Sequence, residues 1–167
     1  MTKEIAYQEY SSTVLETISK GAFLTTNAGG RSNTMTIGWG SIGVMWGLPV
    51  FTVLVRKSRY TYELIENSSA FTVSIPLHDM QAALALCGSK SGRDMDKFAA
   101  AGLKLQPGQK VSVPVIGGCG LHYECEILYK SAMDPAQLDP AIQKNAYKDG
   151  DYHTFYHGKI VACYLDD

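Results

Sequence analysis

Residues 31–63 decide the fold of this chain and read RSNTMTIGWGSIGVMWGLPVFTVLVRKSRYTYE. Polar and apolar side chains alternate from Asn33 to Gly38, which is typical of a strand with one buried face. Trp39 stands between two glycines, and the apolar run Val50–Val55 predicts a second strand. That run is followed at once by a basic and hydroxyl-rich segment: Arg56, Lys57, Ser58, Arg59, Tyr60 and Thr61. The pattern predicts neighbouring strands, one of which delivers this segment to the start of a helix.

The basic segment carries the donors that hold a phosphate group. Guanidinium groups, hydroxyls and the free N–H groups of a helix N-terminus all bind anions. Basic residues at this place oppose the helix dipole by up to about 1 kcal/mol, and a bound anion would reverse that sign. Since Asn33–Thr36 can offer short polar groups to a flat heterocycle, the sequence predicts a mononucleotide-like cofactor. The alternative interpretation is a half-solvated strand followed by a solvated turn.

The bulk composition is that of an ordinary globular protein, with 167 residues and a net charge of -1. This length fits one domain with a sizeable core, so we expect residues 1–167 to form a single domain. The near-neutral charge argues against a nucleic-acid partner or a membrane-surface role. No apolar run approaches the roughly 20 residues that span a bilayer, and the first residues lack the apolar part of a secretion signal. We therefore expect a cytoplasmic protein.

The four cysteines do not predict a metal site. Cys87, Cys119, Cys125 and Cys163 form no Cys-x-x-Cys pair, and no histidine stands at ligand spacing. His122 lies between Cys119 and Cys125, which leaves a zinc site as an alternative, but alternation along a strand would not bring these side chains together. We expect buried thiols and no metal.

Periodicity and turn residues predict a mainly β chain. We expect strands at 21–26, around Thr34 and Met45, and at 50–55, 71–75, 121–130 and 152–164. Short helices are expected at 60–67, with Ser58 as N-cap, and at 78–86 and 92–101. The regular β-α-β alternation of a parallel sheet is absent, which favours an antiparallel barrel with a few short helices.

A second candidate segment, GSKSGR at residues 88–93, joins two of the predicted helices. Its glycines permit close backbone approach, and Ser89, Lys90 and Ser91 can donate to oxygen atoms. The segment lacks the order and the preceding strand of a Walker A loop. The alternative is a solvated turn that leads into a charged helix face formed by Arg93, Asp94, Asp96 and Lys97.

The chain resembles the flavin reductase-like, FMN-binding split-barrel family, and in particular its flavoredoxin-like branch. The matching segments are Asn33–Thr36 with Trp39, then 55–62, 70–74, 87–98, 151–154 and 158–160, in the order of the family. Together they span most of the chain. The resemblance implies a mainly β fold, an antiparallel Greek-key split barrel.

The resemblance also implies a site for FMN. Asn33, Thr34, Met35 and Thr36 would contact the ring, with Trp39 beside them. Arg56, Ser58, Arg59, Tyr60 and Thr61 would surround the phosphate, and spacing does not show which of Arg56, Lys57 and Arg59 touches it. Ser89, Lys90, Ser91 and Gly92 would lie near the flavin. His153 would lie near the cofactor end of the barrel as a substrate contact, although an isolated strand histidine is more often structural.

Two classes of function follow from this resemblance. The first is an NAD(P)H-dependent flavin reductase, in which flavin N5 takes the hydride and no protein residue is assigned as catalytic; no triad, paired carboxylates or Gly-x-Gly-x-x-Gly after a strand is present. The second is a flavoredoxin-like electron carrier that a protein partner reduces. A cofactor-binding module without turnover is a weaker third.

The resemblance further implies a homodimer. Aromatic side chains that a small barrel would not bury fully fit that expectation, since interfaces favour Tyr and Trp. The candidates are Trp46, Tyr60, Tyr123, Tyr129 and Tyr152.

Overall fold

The computed structural model describes residues 1–166, and its main element is an eight-stranded sheet. Its strands are β1 Lys3–Glu4, β2 Ala22–Ala28, β3 Arg31–Ile37, β4 Gly40–Met45, β5 Leu48–Arg56, β6 Ala70–Pro76, β9 Gly120–Ala132 and β10 His153–Leu165. β7 Lys104–Gln106 and β8 Val115–Gly117 form a separate pair. The helices are α1 Ser11–Ile18, α2 Tyr60–Ile65, α3 Gln81–Ser89, α4 Lys97–Ala101 and α5 Pro140–Ala146, with a 3₁₀ turn at Pro135–Gln137.

The order of the strands explains why the barrel is split. The hydrogen-bonded path is β3-β2-β6-β9-β10-β5-β4, with β1 paired to β10, and every pair is antiparallel. β3 and β4 are the two ends of this path, yet only Gly38 and Trp39 separate them in the chain. Such a short link spans at most about 11 Å, so the sheet must curl until its ends meet. An opening remains along the rest of the two edges.

The core fills the inside of this curled sheet with aromatic and branched side chains. Phe51, Phe71 and Tyr123 are fully buried, and the rings of Phe51 and Tyr123 meet edge to face with centroids 5.3 Å apart. Gly158 lies at a register shift of β10, where an added Cβ would stand 2.7 Å from both the Phe71 ring and Cys125. Only glycine allows β10 to pass this close to β6 and β9.

Two buried carboxylates fix the loops at the far end of the barrel from His153. Glu124 accepts hydrogen bonds from the backbone N–H groups of 109, 110 and 111 at 2.6, 2.7 and 3.0 Å, and from the Tyr164 hydroxyl at 2.8 Å. Asp166 accepts from the backbone N–H groups of Gly118 and Gly120 at 2.6 and 2.8 Å. Each carboxylate therefore holds the backbone of a loop in place.

The mainly β, antiparallel prediction is confirmed, whereas several local predictions are wrong. Ser58 is not the cap of α2: Arg59 occupies that position with no side-chain capping bond. The predicted helix at 92–101 is reduced to α4 because the Asp96 carboxylate caps it, accepting from the N–H groups of Phe98 and Ala99. The helix predicted at 78–86 begins at Gln81. Sequence periodicity also missed the short elements β7, β8 and α5.

All four cysteines are buried and free. Burial raises the pKa of each thiol, to about 12 for Cys163. Within residues 1–166, no three His, Cys, Asp or Glu side chains are placed to hold a metal ion. In the same range, no helix is long and apolar enough to cross a bilayer.

Candidate cofactor site

Two adjoining cavities lie beside β3, one next to the Gly38–Trp39 link and the other at the start of α2. The first has a volume of about 230 Å³ and is lined by Met35, Thr36, Ile37, Gly38, Trp39, Leu54, Arg56, Arg59 and His153. The second measures about 150 Å³ and is lined by Met35, Ser58, Arg59, Tyr60, Thr61, Ser89, Lys90, Ser91, Arg93 and Lys97. Met35 and Arg59 line both, so the cavities meet at these two side chains.

The second cavity is cationic. Four basic side chains line it and no carboxylate does; the four are Arg59, Lys90, Arg93 and Lys97. Arg59 is half-buried, and one of its N–H groups donates to the carbonyl of Gly88 at 2.8 Å. Burial, together with the charge of Arg56, lowers the pKa of Arg59 from its very high usual value. Arg93 forms an ion pair with Glu63, which offsets part of its charge.

Lys97 is the site residue that the sequence did not reveal. Its side chain is only 4% exposed, and Nζ donates to the carbonyls of Thr34 at 3.0 Å and Cys87 at 2.8 Å. An ammonium group has three N–H donors, and within residues 1–166 the third finds no acceptor. Burial lowers the pKa of Lys97 to about 8, and the charge of Arg59 acts in the same direction. The alternative interpretation, a charged helix face, is therefore wrong at Lys97.

The β3 side chains predicted to meet a ring are largely engaged within the protein. Asn33 donates to Thr61 Oγ1 at 2.9 Å, and buried Thr34 donates to the Leu24 carbonyl at 3.2 Å. Neither side chain lines the two cavities. Thr36 donates to the Leu84 carbonyl at 2.6 Å but still lines the first cavity, as Met35 does.

Arg56 and Ser58 mainly hold the segment that leads into β10. Arg56 donates to the carbonyls of Asp151 at 2.6 Å and Ala146 at 2.9 Å, and its guanidinium lies 4.9 Å from the centroid of the Tyr147 ring. Ser58 donates to the Asp151 carboxylate at 2.5 Å. Lys57 is exposed and lines neither cavity.

The segment from Ser89 to Gly92 covers one side of the second cavity. Ser89, Lys90 and Ser91 line it, whereas Gly92 packs directly behind. An added Cβ at Gly92 would lie 2.1 Å from Asn33 Oδ1 and 2.8 Å from the Tyr60 ring. This close approach, more than turn geometry, accounts for a glycine at the position.

His153 and Trp39 form the far wall of the first cavity. Their ring centroids lie 5.3 Å apart, and Trp39 is 50% exposed. His153 Nδ1 lies 2.7 Å from the Tyr147 hydroxyl. Burial and the nearby Arg56 charge lower the pKa of His153 to about 4, so its imidazole is neutral at neutral pH.

The sheet is antiparallel, and its two end strands β3 and β4 do not pair with each other. Residues 16–167 match the flavin reductase like domain. The chain belongs to this family. The family resemblance predicted from the sequence is thereby confirmed.

Solved structures confirm the split-barrel architecture. The flavoredoxin of Desulfovibrio vulgaris (Miyazaki F) is 26% identical, with a TM-score of 0.69 over 88% of this chain and 69% of that one. An FMN-binding domain of flavin reductases-like enzyme from Shewanella baltica OS155 has a TM-score of 0.74 over 99% of this chain and 78% of that one; at 18% identity it shows the fold alone. YddH of Escherichia coli K12 is 34% identical over 99 residues, which is 59% of this chain and 52% of YddH. The chain spans about half the length of the curated relatives it matches.

Proposed function

We propose that this protein binds FMN, with the phosphate in the cationic second cavity and the isoalloxazine ring in the first. Membership of the flavin reductase like family supports the choice of a flavin cofactor. When bound, FMN supplies the hydride and electron transfer, and the protein supplies placement and electrostatics.

The observation that carries this proposal is the composition of the second cavity. A phosphate monoester carries nearly two negative charges at neutral pH. Arg59, Lys90 and Lys97 line that cavity without any carboxylate, and Lys97 keeps one N–H free of protein acceptors within residues 1–166. Of these cations Lys97 is buried, Arg59 is half-buried and Lys90 is exposed. A buried cation without a paired anion is costly, and a bound dianion would offset that cost at Lys97 and Arg59. Tyr60, Thr61 and Ser91 would add hydroxyl donors.

The remaining residues have separate roles in the proposal. Met35, Thr36 and Trp39 would enclose the ring. Arg56 and Ser58 would keep the segment before His153 in place through Asp151. Asn33 and Gly92 would support the wall by their close packing.

His153 would act as a neutral hydrogen-bonding group. We assign the Tyr147 hydroxyl as the donor to Nδ1, which leaves the proton on Nε2. The imidazole would then donate from Nε2 to a substrate or to the ring. It does not need to exchange a proton for hydride chemistry at the flavin.

For the activity, we propose an NAD(P)H-dependent flavin reductase or oxidoreductase. The first cavity is open beside a half-exposed tryptophan, which leaves room for a nicotinamide ring above a flavin. The alternative is a flavoredoxin-like carrier that accepts electrons from a protein donor, and the similarity to flavoredoxin favours it. Both use the same FMN site.

Anaerobic mixing of the FMN-loaded protein with NADH or NADPH separates the two activities. Rapid bleaching of the flavin absorbance by either nucleotide supports the reductase. Bleaching that needs a reduced protein donor supports the carrier and rejects the reductase. An affinity for riboflavin equal to that for FMN would reject the phosphate site itself.

We also propose that the protein is a homodimer and that it is located in the cytoplasm. Trp46 and Tyr129 are 60% and 52% exposed, and their rings lie 6.3 Å apart, with Trp46 in the turn between β4 and β5. Tyr123, expected among the exposed aromatics, is fully buried in the core, so that part of the argument is wrong. Light scattering that gives a monomer mass near 18.2 kDa at micromolar concentration would reject the dimer.

A further inference from the structure

Two arginines line the first cavity, and among its lining residues no carboxylate offsets them. They are Arg56 and Arg59, and the charge of Arg56 contributes to the lowered pKa of Arg59. Two like charges beside one cavity repel each other, and an anion near both would be stabilised by both. Arg59 also lines the second cavity, where the phosphate is proposed to bind, whereas Arg56 lines only the first. The charge of Arg56 is therefore available to the ring.

Neutral groups hold the Arg56 guanidinium in place. Nη1 donates to the carbonyl of Asp151 at 2.6 Å, and Nη2 donates to the carbonyl of Ala146 at 2.9 Å. The guanidinium carbon lies 4.9 Å from the centroid of the Tyr147 ring. These contacts fix the position of the charge without cancelling it. A charge that is fixed before a reaction stabilises a developing negative charge without a cost of reorganisation.

The carboxylate of Asp151 acts against Arg56, but at the wall of the first cavity its effect is the weaker of the two. It lines neither cavity and accepts hydrogen bonds from the N–H and hydroxyl groups of Ser58, at 3.3 and 2.5 Å. His153 lines the first cavity, and the Arg56 charge lowers the pKa of its imidazole more than the Asp151 charge raises it. The potential at that wall of the cavity is therefore positive.

We propose that Arg56 makes the site bind reduced FMN more tightly than oxidised FMN, so that the flavin stays on the protein through its redox cycle. This proposal rests on the FMN site proposed above. A nicotinamide donor passes a hydride, which is one proton with two electrons, to flavin N5: a C–H bond of the donor breaks and an N5–H bond forms. The donor becomes more positive by one charge, and the flavin ring gains one negative charge. Two electrons from a protein donor and one proton from water give the same product. The phosphate keeps its charge, so the difference between the two forms lies in the ring.

Tighter binding of reduced FMN would make the flavin a resident cofactor rather than a product. Reduced flavin would then remain bound after each reduction and pass its electrons on from the protein. An oxidoreductase or an electron carrier with bound FMN would have this property, and a reductase that releases reduced flavin would not.

The test is the two-electron reduction potential of FMN on the intact protein, compared with free FMN by equilibration with a reference dye. If the reduced form binds at least about tenfold more tightly, the potential of bound FMN lies about 30 mV or more above that of free FMN. Arg56→Met should lose most of this rise, and Arg56→Lys, which keeps the charge, should retain most of it. The matched control is Lys57→Met, an exposed neighbour that lines neither cavity and should leave the potential unchanged. A purely structural role of Arg56 would weaken both forms equally and leave the potential as it is in wild-type protein.

Wild-type protein provides a second measurement that needs no variant. In anaerobic gel filtration at decreasing protein concentration, reduced FMN should remain bound at concentrations about tenfold below those at which oxidised FMN dissociates. A bound potential equal to or below that of free FMN, or reduced flavin that dissociates first, would overturn the inference. An equal rise in wild-type protein and in Arg56→Met would overturn the assignment to Arg56. Failure of wild-type protein to bind FMN in either form would instead reject the proposed function.

Discussion

Charged groups are buried in two regions of this molecule, and they are treated in opposite ways. The carboxylates of Glu124 and Asp166 are surrounded by donors of the protein itself, mostly backbone N–H groups. The cations of the second cavity are only partly satisfied, and Lys97 keeps a donor free within residues 1–166.

The difference teaches how to tell a structural charge from a ligand-binding one. A buried charge whose partners are all supplied by the fold stabilises that fold and has nothing left to offer a ligand. A buried charge that faces a cavity costs stability until something enters. Substitutions of the charged residues in the first region should therefore mainly reduce stability, and substitutions of the charged residues in the second should mainly reduce ligand affinity.

The largest effect is expected from Glu124→Gln. The amide would lose the charge, and its NH2 group would replace one carboxylate oxygen and face the donors of that oxygen, either the N–H of 109 with the Tyr164 hydroxyl or the N–H groups of 110 and 111; this should cost roughly 3 kcal/mol of unfolding free energy. Urea denaturation of the two proteins measures it. Glu126→Gln, an exposed position on the same strand, should change stability by less than about 0.5 kcal/mol. If Glu124→Gln is as stable as the wild-type protein, the Glu124 carboxylate does not stabilise the fold.

Arg59→Ala should have the opposite signature. We expect FMN affinity to fall at least about tenfold, because a charged donor to the phosphate is lost, while riboflavin affinity changes little. Lys57→Ala is the control, since Lys57 lines neither cavity. Isothermal titration with both flavins gives the result. Equal losses for FMN and riboflavin would show a general distortion of the site.

The pH dependence of FMN binding should report Lys97. Its pKa in the free protein is about 8, and a phosphate prefers the protonated ammonium, so affinity should fall as pH rises through about 8. We expect a loss of roughly fivefold between pH 7.5 and 9, where the FMN phosphate remains a dianion. Lys97→Met should bind weakly at both pH values and lose this step. If the FMN affinity of the wild-type protein does not change over this pH range, Lys97 does not bind the phosphate.

The smallest effect on binding is expected from Ser58→Ala. Its hydroxyl is already donated to Asp151, so FMN affinity should fall less than about threefold. The lost hydrogen bond should instead cost about 1 kcal/mol of stability. A tenfold loss of FMN affinity, measured in the same titration, would show that Ser58 turns from Asp151 to the ligand.

The sequence predicted the strands and the family because both depend on local patterns. Alternation around Thr34 and the apolar run before Arg56 are readable within a few residues. The partners of these residues are not: Arg56 and Ser58 contact Asp151, which is more than 90 positions away in the chain. The burial of Lys97 was also not predicted, because a helix of only five residues has too little periodicity to show which face is buried.

Within the proposed site too, local composition was readable from the sequence and long-range contacts were not. The basic segment after β5 and the glycine-serine segment before α4 both reach the second cavity, as their composition suggested. The alternation correctly predicted a strand at β3, but not that both of its faces are covered: Asn33, Thr34 and Met35 are all buried. It could not show that the side chains of Asn33 and Thr34 would donate to Thr61 and Leu24 and would line neither the first nor the second cavity.

The pairing of β10 bears on the order in which parts of the chain can fold. This strand joins β5, β9 and β1, so it connects Lys3 to Leu165 and Arg56 to His153. Contacts between residues so far apart in the chain slow folding, because a large loop must close before any of them forms. His153 reaches Trp39 only when β10 docks. We therefore expect the first cavity to form in the last step of refolding, and the rate of flavin uptake by the refolding chain to equal the rate of that step.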